Sequence, residues 1–357
     1  MKSYHPPKLP VKINKDSLVN LLAETAFELG QLNGLQKDLP NPFLLISPLT
    51  TKEATISSKI EGTRSTVSDV FVYEATETSQ YSETIEVFNY RKAMLFAIDS
   101  LKDRKLNNTF IKELHSILLE GTRGHKKRGD WRKEQVFIGE KGATIEKATY
   151  IPPEATFIPE YMENLENYIL ENLEHPLIKI AVVHYQFEAI HPFSDGNGRI
   201  GRLLIPVYLY WKRLLFQPIL YLSGYFEKYR DKYLDTLNYV DKTQKYEIWI
   251  EFFLQAVKEQ AKDTQNLIEK IKSLYKEIHV KLEKVKSPYT AKTIDFIFKN
   301  PAFKASSLRK FINSSRATSL RIIEKMQDFG LVESYLPPDR KRKIFIFTDL
   351  INLLQNW

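Results

Sequence analysis

The sequence predicts a mainly α-helical protein that ends in a small basic module of helices and strands. Apolar residues recur at helical spacing through most of the chain, and strand-like runs are confined to two short regions. The second of these regions follows three short helical segments and brackets a cluster of Lys and Arg, the pattern of a winged helix-turn-helix.

Taken in order, Leu18, Leu21, Leu22, Ala26 and Leu29 share one stripe and predict a first amphipathic helix, closed by Gly30. The turn-rich Leu39-Pro40-Asn41-Pro42 separates it from a second helix through Ala54 to Ile60, closed by Gly62. Helices follow over 65–75, 84–101 and 109–120. Gln135-Val136-Phe137-Ile138 and Ala143-Thr144-Ile145, set around Gly139 and Gly142, predict a β-hairpin. Beyond it, Pro159 to Leu173 is helical. Pro176 opens a helix on which Ile180, Val183, Phe187 and Ile190 align.

Leu203 to Leu215 predicts a buried helix, with Pro206 a candidate kink. Tyr246 to Val285 predicts one long helix with Leu267, Ile271, Leu274, Ile278 and Val285 near heptad spacing, suited to a connector or a dimer seam, the connector being the simpler. Ser287-Pro288 marks a boundary. Helices are then predicted over 291–299, 306–312 and 315–329. The runs Leu331–Tyr335 and Lys343–Phe347 are strand-like. The resulting division is 1–105, 106–245, 246–286 and 287–357.

The composition limits the function classes. With 357 residues, 43% hydrophobic and 27% charged, the chain is long enough for two or three domains with an ordinary globular balance. It has no cysteine, which excludes disulfides and thiolate metal sites. There is no apolar run of membrane-spanning length and no apolar segment at the N-terminus. The expectation is therefore a cytoplasmic protein without a membrane partner. The net charge of +8 is uneven: 291–357 hold twelve Lys/Arg against six Asp/Glu, whereas the first 290 residues hold 40 against 38. A negatively charged partner is to be sought at the C-terminal end.

The chemistry concentrates at His191-Pro192-Phe193-Ser194-Asp195-Gly196-Asn197-Gly198-Arg199-Ile200-Gly201-Arg202. Gly196, Gly198 and Gly201 have the spacing of a dinucleotide-binding loop, but they follow a helical stripe rather than a strand. No acidic residue occurs between Asp195 and Glu227. Glycines at a helix start leave backbone N–H groups free for an anion. Arg199 and Arg202 project from the first turn, a guanidinium pair that suits a di- or triphosphate. Asp195 is placed to hold a Mg²⁺ bridging phosphates, and His191 is the nearby group that titrates near neutrality.

These residues match the Fic family signature HxFx[DE]GNGRxxR at every defined position, and the chain resembles that family. The resemblance implies a Fic-type helical core with a β-hairpin flap, and transfer of AMP from ATP to a protein hydroxyl with release of pyrophosphate. It implies His191 as general base, Asp195 as the Mg²⁺ ligand, Gly196, Asn197 and Gly198 as the anion hole, and Arg199 and Arg202 on the β and γ phosphates. Phe193 would anchor the loop. The ATP-binding set it implies is Glu61, His191, Gly196, Asn197, Gly198, Arg199, Ile200, Gly201, Arg202 and Tyr233. Tyr229 and Tyr233 lie where relatives contact adenine, although core packing suits them equally. Gly198 favours AMP transfer, since the related Doc toxins carry lysine there.

Upstream, Ser57-Ser58-Lys59-Ile60-Glu61-Gly62 resembles the inhibitory [ST]xxxE[GN] motif of class II Fic proteins. Ser57 and Glu61 share one helical face. The motif implies that Glu61 pairs with Arg202 and occupies the γ-phosphate site; in some relatives this glutamate also supports removal of AMP. Val136, Phe137, Ile138 and Gly139 fall where relatives carry a target-binding flap. The implied partner is a protein with a Ser, Thr or Tyr hydroxyl, with self-modification expected and a homodimer in keeping with the class. In the C-terminal module, Arg316, Thr318, Ser319 and Arg321 are candidates for groove contact and Arg340 to Lys343 for the wing. The module suits DNA or protein contact, so a DNA-binding regulator with an ATP-sensing core is the rival reading.

Overall fold

The computed structural model describes residues 2–37, 43–77, 83–122, 124–139, 142–171, 174–337 and 343–355. The helices are α1 (Val19–Lys37), α2 (Phe43–Ile60), α3 (Val67–Thr76), α4 (Thr84–Ser100), α5 (Asn108–Leu118), α6 (Ile158–Leu170), α7 (Pro176–Ile190) and α8 (Asn197–Trp211). They continue with α9 (Ser223–Lys228), α10 (Arg230–Thr243), α11 (Glu247–Glu283) and α12 (Thr290–Lys299). The last part holds β1 (Ala302–Phe303), α13 (Ala305–Ile312), α14 (Arg316–Asp328), β2 (Glu333–Tyr335), β3 (Ile344–Ile346) and α15 (Thr348–Gln355).

The centre of the molecule is α7. Every residue in it except Pro176 and Glu188 is buried, so the helix is covered on all sides rather than along one stripe. Pro176 opens it, and the His175 ring accepts from the Leu177 N–H at the N-cap. α8 packs back against α7, with α4, α5 and α2 covering it. This hairpin of two buried helices fixes the connection between them, residues 191–196, in the interior wall.

α11 is the second organising element. Its side chains Trp249, Phe253, Leu267, Ile271 and Ile278 are buried, and the helix packs along α1 and then against α12. The heptad-like stripe is therefore covered within this chain. The sheet has the order β1-β3-β2 and is antiparallel throughout, pairing Ala302 with Ile346 and Ser334 with Phe345. With α12, α13 and α14 this arrangement is compatible with a winged helix-turn-helix. The boundaries expected at 105, 245 and 286 fall in connections between helices.

Several expectations need correction. α1 does not stop at Gly30 but continues to Lys37, because Leu32 and Gln36 extend the buried face. α2 starts earlier than its apolar pattern suggests and carries Pro48 in its interior. The predicted hairpin is absent among the described residues. Ile138 instead bridges Tyr150, and Ile145–Lys147 forms a single 3-10 turn where the returning strand was expected. The Ile138 N–H donates to the Tyr150 carbonyl (2.8 Å) and the Thr149 N–H to the Ile138 carbonyl (2.8 Å), so the pairing partner lies further along the chain. Ser319 is not groove-facing: it is buried, and its hydroxyl donates to the Arg316 carbonyl. Arg316 and Arg321 are exposed and Thr318 is half-buried. β1 and α15 were not anticipated. Leu39–Pro42 and most of the wing, Arg340 to Arg342, lie outside the described residues.

Gly30 and Gly34 both lie on the exposed side of α1, and an added Cβ meets nothing within 4 Å at either position. Because glycine is the costlier residue inside a helix, Gly30→Ala and Gly34→Ala should each stabilise the protein by about 0.5–1 kcal/mol. Urea denaturation of each variant measures this; a lower midpoint would contradict it.

Candidate active site

The connection from α7 to α8 is built by side chains that substitute for secondary structure. His191 is the C-cap of α7 with φ 51°, a left-handed conformation uncommon for a residue other than glycine. The Asn197 carboxamide closes the loop in both directions, accepting from the Phe193 N–H and donating to the Phe193 carbonyl, each at 2.8 Å. The anchoring expected of Phe193 is visible: the ring is buried and stacks on His115 with 3.6 Å between centroids. His115 accepts from the Gly129 N–H at Nδ1, so its Nε2 carries the proton and donates to the Asp195 carbonyl (3.0 Å). Burial lowers the pKa of His115 to about 4, keeping the ring neutral in that role.

Gly196, with φ 78°, caps α8, and a Cβ there would press on Leu118. The amides of Asn197, Gly198 and Arg199 open the helix, where no preceding turn supplies carbonyls for them. At Gly198 an added Cβ would collide with the Glu61 carboxylate and stand 2.9 Å from the Arg202 guanidinium. The Glu61 carboxylate thus lies directly over the first turn of α8.

Arg202 is the hub. It is 3% exposed and donates from Nε to the Ser57 hydroxyl (2.8 Å), and from Nη2 to the Ser57 carbonyl (2.9 Å) and the Glu61 carboxylate (2.7 Å). Ser57 in the last turn of α2 and Glu61, the residue just past its end, grip the same guanidinium. Burial works against the Glu61 charge, but the charge and hydrogen bond of Arg202 outweigh it and hold the carboxyl below the usual range.

Two more acids face Arg202, the buried Glu53 and the half-buried Glu188. Glu53 on α2 accepts from the Ser223 hydroxyl (2.5 Å) and from Tyr90 (3.3 Å). Glu188 on α7 has a buried Oε1 without a hydrogen-bond partner. Burial raises both to about 7, against the pull of Arg202. An added Cβ at Gly201 would collide with Glu188, which accounts for glycine at that position.

Arg199 differs from the sequence expectation. It is 2% exposed and is held by Glu86 of α4 (2.5 Å) and by Asp195 (3.2 Å), so its charge is already balanced inside the protein. Ile200 is part of the core. Tyr233 is also buried, stacked on Phe226 with its hydroxyl at His184 Nε2 (3.0 Å), and it stands behind Arg202 rather than in an open cleft. Tyr229 is exposed and packs on Tyr225. Val136 is half-buried, while Phe137, Ile138 and Gly139 are exposed.

His191 is half-buried, and burial lowers its pKa to about 4, so its imidazole is neutral at physiological pH and able to take a proton. Asp195 is the one acidic side chain of the loop, and among the described residues no cluster of three potential metal ligands occurs. A single carboxylate suits a cation whose other ligands come from phosphate and water. Sequence reasoning missed Glu53, Glu86, His115, Arg132 and Glu188; only their contacts across the fold reveal them.

A helical core with a neutral histidine, an anion-receptive helix start and a buried arginine held by an upstream glutamate defines the class. Residues 105–209 match the model of the Fic/DOC family and residues 19–99 match that of the Fic/DOC family N-terminal region, together more than half of the chain. The chain belongs to the Fic/DOC family. It is 33% identical over 113 residues to the protein adenylyltransferase Fic of Aedes aegypti, spanning 31% of this chain and 20% of that one. It is 28% identical over 176 residues to the protein adenylyltransferase Fic of Nematostella vectensis, spanning 46% of this chain and 38% of that one. The matches thus span between a fifth and two fifths of these relatives' own length. In fold, it is similar over 96% of its length to 98% of a Fic family protein from Desulfovibrio desulfuricans G20, with a TM-score of 0.61 and 22% identity. No described helix is long and apolar enough to cross a membrane.

The Arg199–Glu86 pair yields a stability test. Glu86→Ala leaves a buried guanidinium with Asp195 as its remaining acid and should cost about 3 kcal/mol. Chemical denaturation measures the loss, and a change below 1 kcal/mol would show that Glu86 is dispensable.

Proposed function

We propose that this chain is a protein adenylyltransferase held inactive by its own Glu61, moving AMP from ATP to a Ser, Thr or Tyr hydroxyl of a target protein and of itself. The observation that carries the reading is the grip of Glu61 and Ser57 on Arg202 directly over the first turn of α8. The names of the curated relatives support the activity.

In this reading the α-phosphate sits against the amides of Asn197, Gly198 and Arg199, where the helix start favours negative charge. The neutral His191 imidazole takes the proton of the target hydroxyl. That oxygen bonds to the α-phosphorus, the bond to the bridging oxygen breaks, and pyrophosphate leaves with the bonding electrons. Asp195 would hold Mg²⁺, which when bound offsets phosphate charge. Arg202 becomes a ligand for the terminal phosphate only when Glu61 releases it. Arg199, committed to Glu86 and Asp195, adds its field rather than a free clamp.

The inhibitory contact needs an ionised Glu61. Its carboxyl titrates below the ordinary range, so the contact is complete at neutral pH and is lost only as pH falls through that lowered value. The His191 imidazole, lowered to about 4, is likewise neutral at neutral pH and gains its proton only in the acidic region.

Glu61→Gly should raise AMP transfer from labelled ATP by about tenfold or more, because the carboxylate competing for Arg202 is gone. Adding His191→Ala should then lower it by about 10²-fold or more, the loss of a general base. Equal rates for the wild type and Glu61→Gly would refute self-inhibition, and activity retained without His191 would refute its role.

A further inference from the structure

Arg132, in the extended segment that leads into the flap, is 3% exposed and spends its guanidinium on main-chain carbonyls. Nε donates to the His191 carbonyl (2.8 Å), Nη2 to the carbonyls of Pro153 (2.6 Å) and Ile190 (3.4 Å), and Nη1 to that of Glu134 (3.1 Å). Its own N–H donates to the Pro192 carbonyl (2.9 Å). Among the described residues, no carboxylate stands within ion-pair distance of it. A buried cation without a paired acid is costly, and a structural role alone would be served by a neutral donor.

We infer that Arg132 is a positioning residue for His191, tying the end of α7, the base and the flap segment into one rigid unit. The inference rests on the reading of His191 as the base. Three features support it. His191 holds a left-handed conformation that its surroundings must enforce, and the bond to its carbonyl does so. The Ile190 and His191 carbonyls lie at the negative end of α7, where no following turn supplies donors and a cation is favoured. The same planar fork reaches Glu134 and Pro153 on the two sides of the flap, so the segment that would present a target and the group that would deprotonate it share one anchor.

The charged groups facing His191 are Glu61 just past the end of α2, Asp195 of the loop and Arg132 itself. Arg132 disfavours the imidazolium, so removing its charge should let His191 titrate at higher pH. A lysine keeps the charge but not the fork and should restore the titration without restoring the geometry.

The test compares Glu61→Gly with Glu61→Gly/Arg132→Gln and Glu61→Gly/Arg132→Lys. Expected are a fall in kcat of at least tenfold in both double variants and an ATP dissociation constant, by calorimetry, within twofold of the parent. NMR of the labelled imidazole should show His191 titrating at higher pH in the glutamine variant but not in the lysine variant. An unchanged kcat, or a loss confined to ATP affinity, would overturn the inference. If Glu61→Gly itself transfers no AMP, the functional reading fails. The imidazole titration then decides alone, and an unmoved His191 in Arg132→Gln overturns the positioning role. Should the glutamine variant not fold, a lysine variant as fast as its parent would do the same.

Discussion

One buried positive charge organises this molecule. Arg202 lies on the first turns of α8, nearly sealed from water, and a guanidinium in that position is tolerated only where acids and carbonyls surround it. Its partners come from the end of α2, through Ser57 and the following Glu61, while Glu53 of that helix and Glu188 of α7 face it electrostatically. The end of α2 must therefore sit over the start of α8. Three acids around one arginine would leave an excess of negative charge, yet burial raises Glu53 and Glu188 to about 7, so that they are only partly ionised at neutral pH while Glu61, held below the usual range, is fully so. The acid nearest the helix start, and nearest solvent, is the one that holds the ion pair.

The loop that carries the histidine is held as tightly as the arginine. Asn197 closes it on Phe193, His115 stacks beneath and grips Asp195, and Arg132 fastens its other side. Regular secondary structure is absent between Ile190 and Asn197, and these side chains supply the hydrogen bonds that a helix or sheet would otherwise give. Such a loop keeps its shape without capping the start of α8 by a side chain.

The parts of this arrangement that were legible in the sequence are those written locally. The twelve residues from His191 to Arg202 carry their glycines, histidine and arginines in consecutive order, and Ser57 and Glu61 stand one turn apart. The existence of most helices was legible for the same reason, through their apolar periodicity. What could not be read depends on contacts between distant segments. Glu86 is an ordinary acid in a helical stretch until α4 brings it against Arg199, and His115 and Arg132 acquire meaning only beside residues about 60 to 80 positions away. The flap misled because two short β-prone runs around glycines suit a hairpin locally, whereas Ile138 finds its partner at Tyr150. Gly30 misled because a helix-ending residue is overridden when Leu32 and Gln36 continue the buried face against α11.

The position of α2 bears on how Arg202 would be freed under the proposed function. Its N-terminal part is fixed where Ser47 donates to the Lys299 carbonyl of α12 (2.9 Å), and α15 also packs against the helix. Moving the whole helix would break that packing and strip the buried Glu53 of its Ser223 bond. Glu61, by contrast, is one residue beyond the helix and 38% exposed on its side chain, and Gly62 follows with φ 92°. Rotating one carboxylate into water costs far less than sliding eighteen residues through a packed interior. Under that reading release would be local: Ser57 would stay on Arg202 while Glu61 leaves, and the guanidinium would keep its orientation for the anion that replaces the carboxylate.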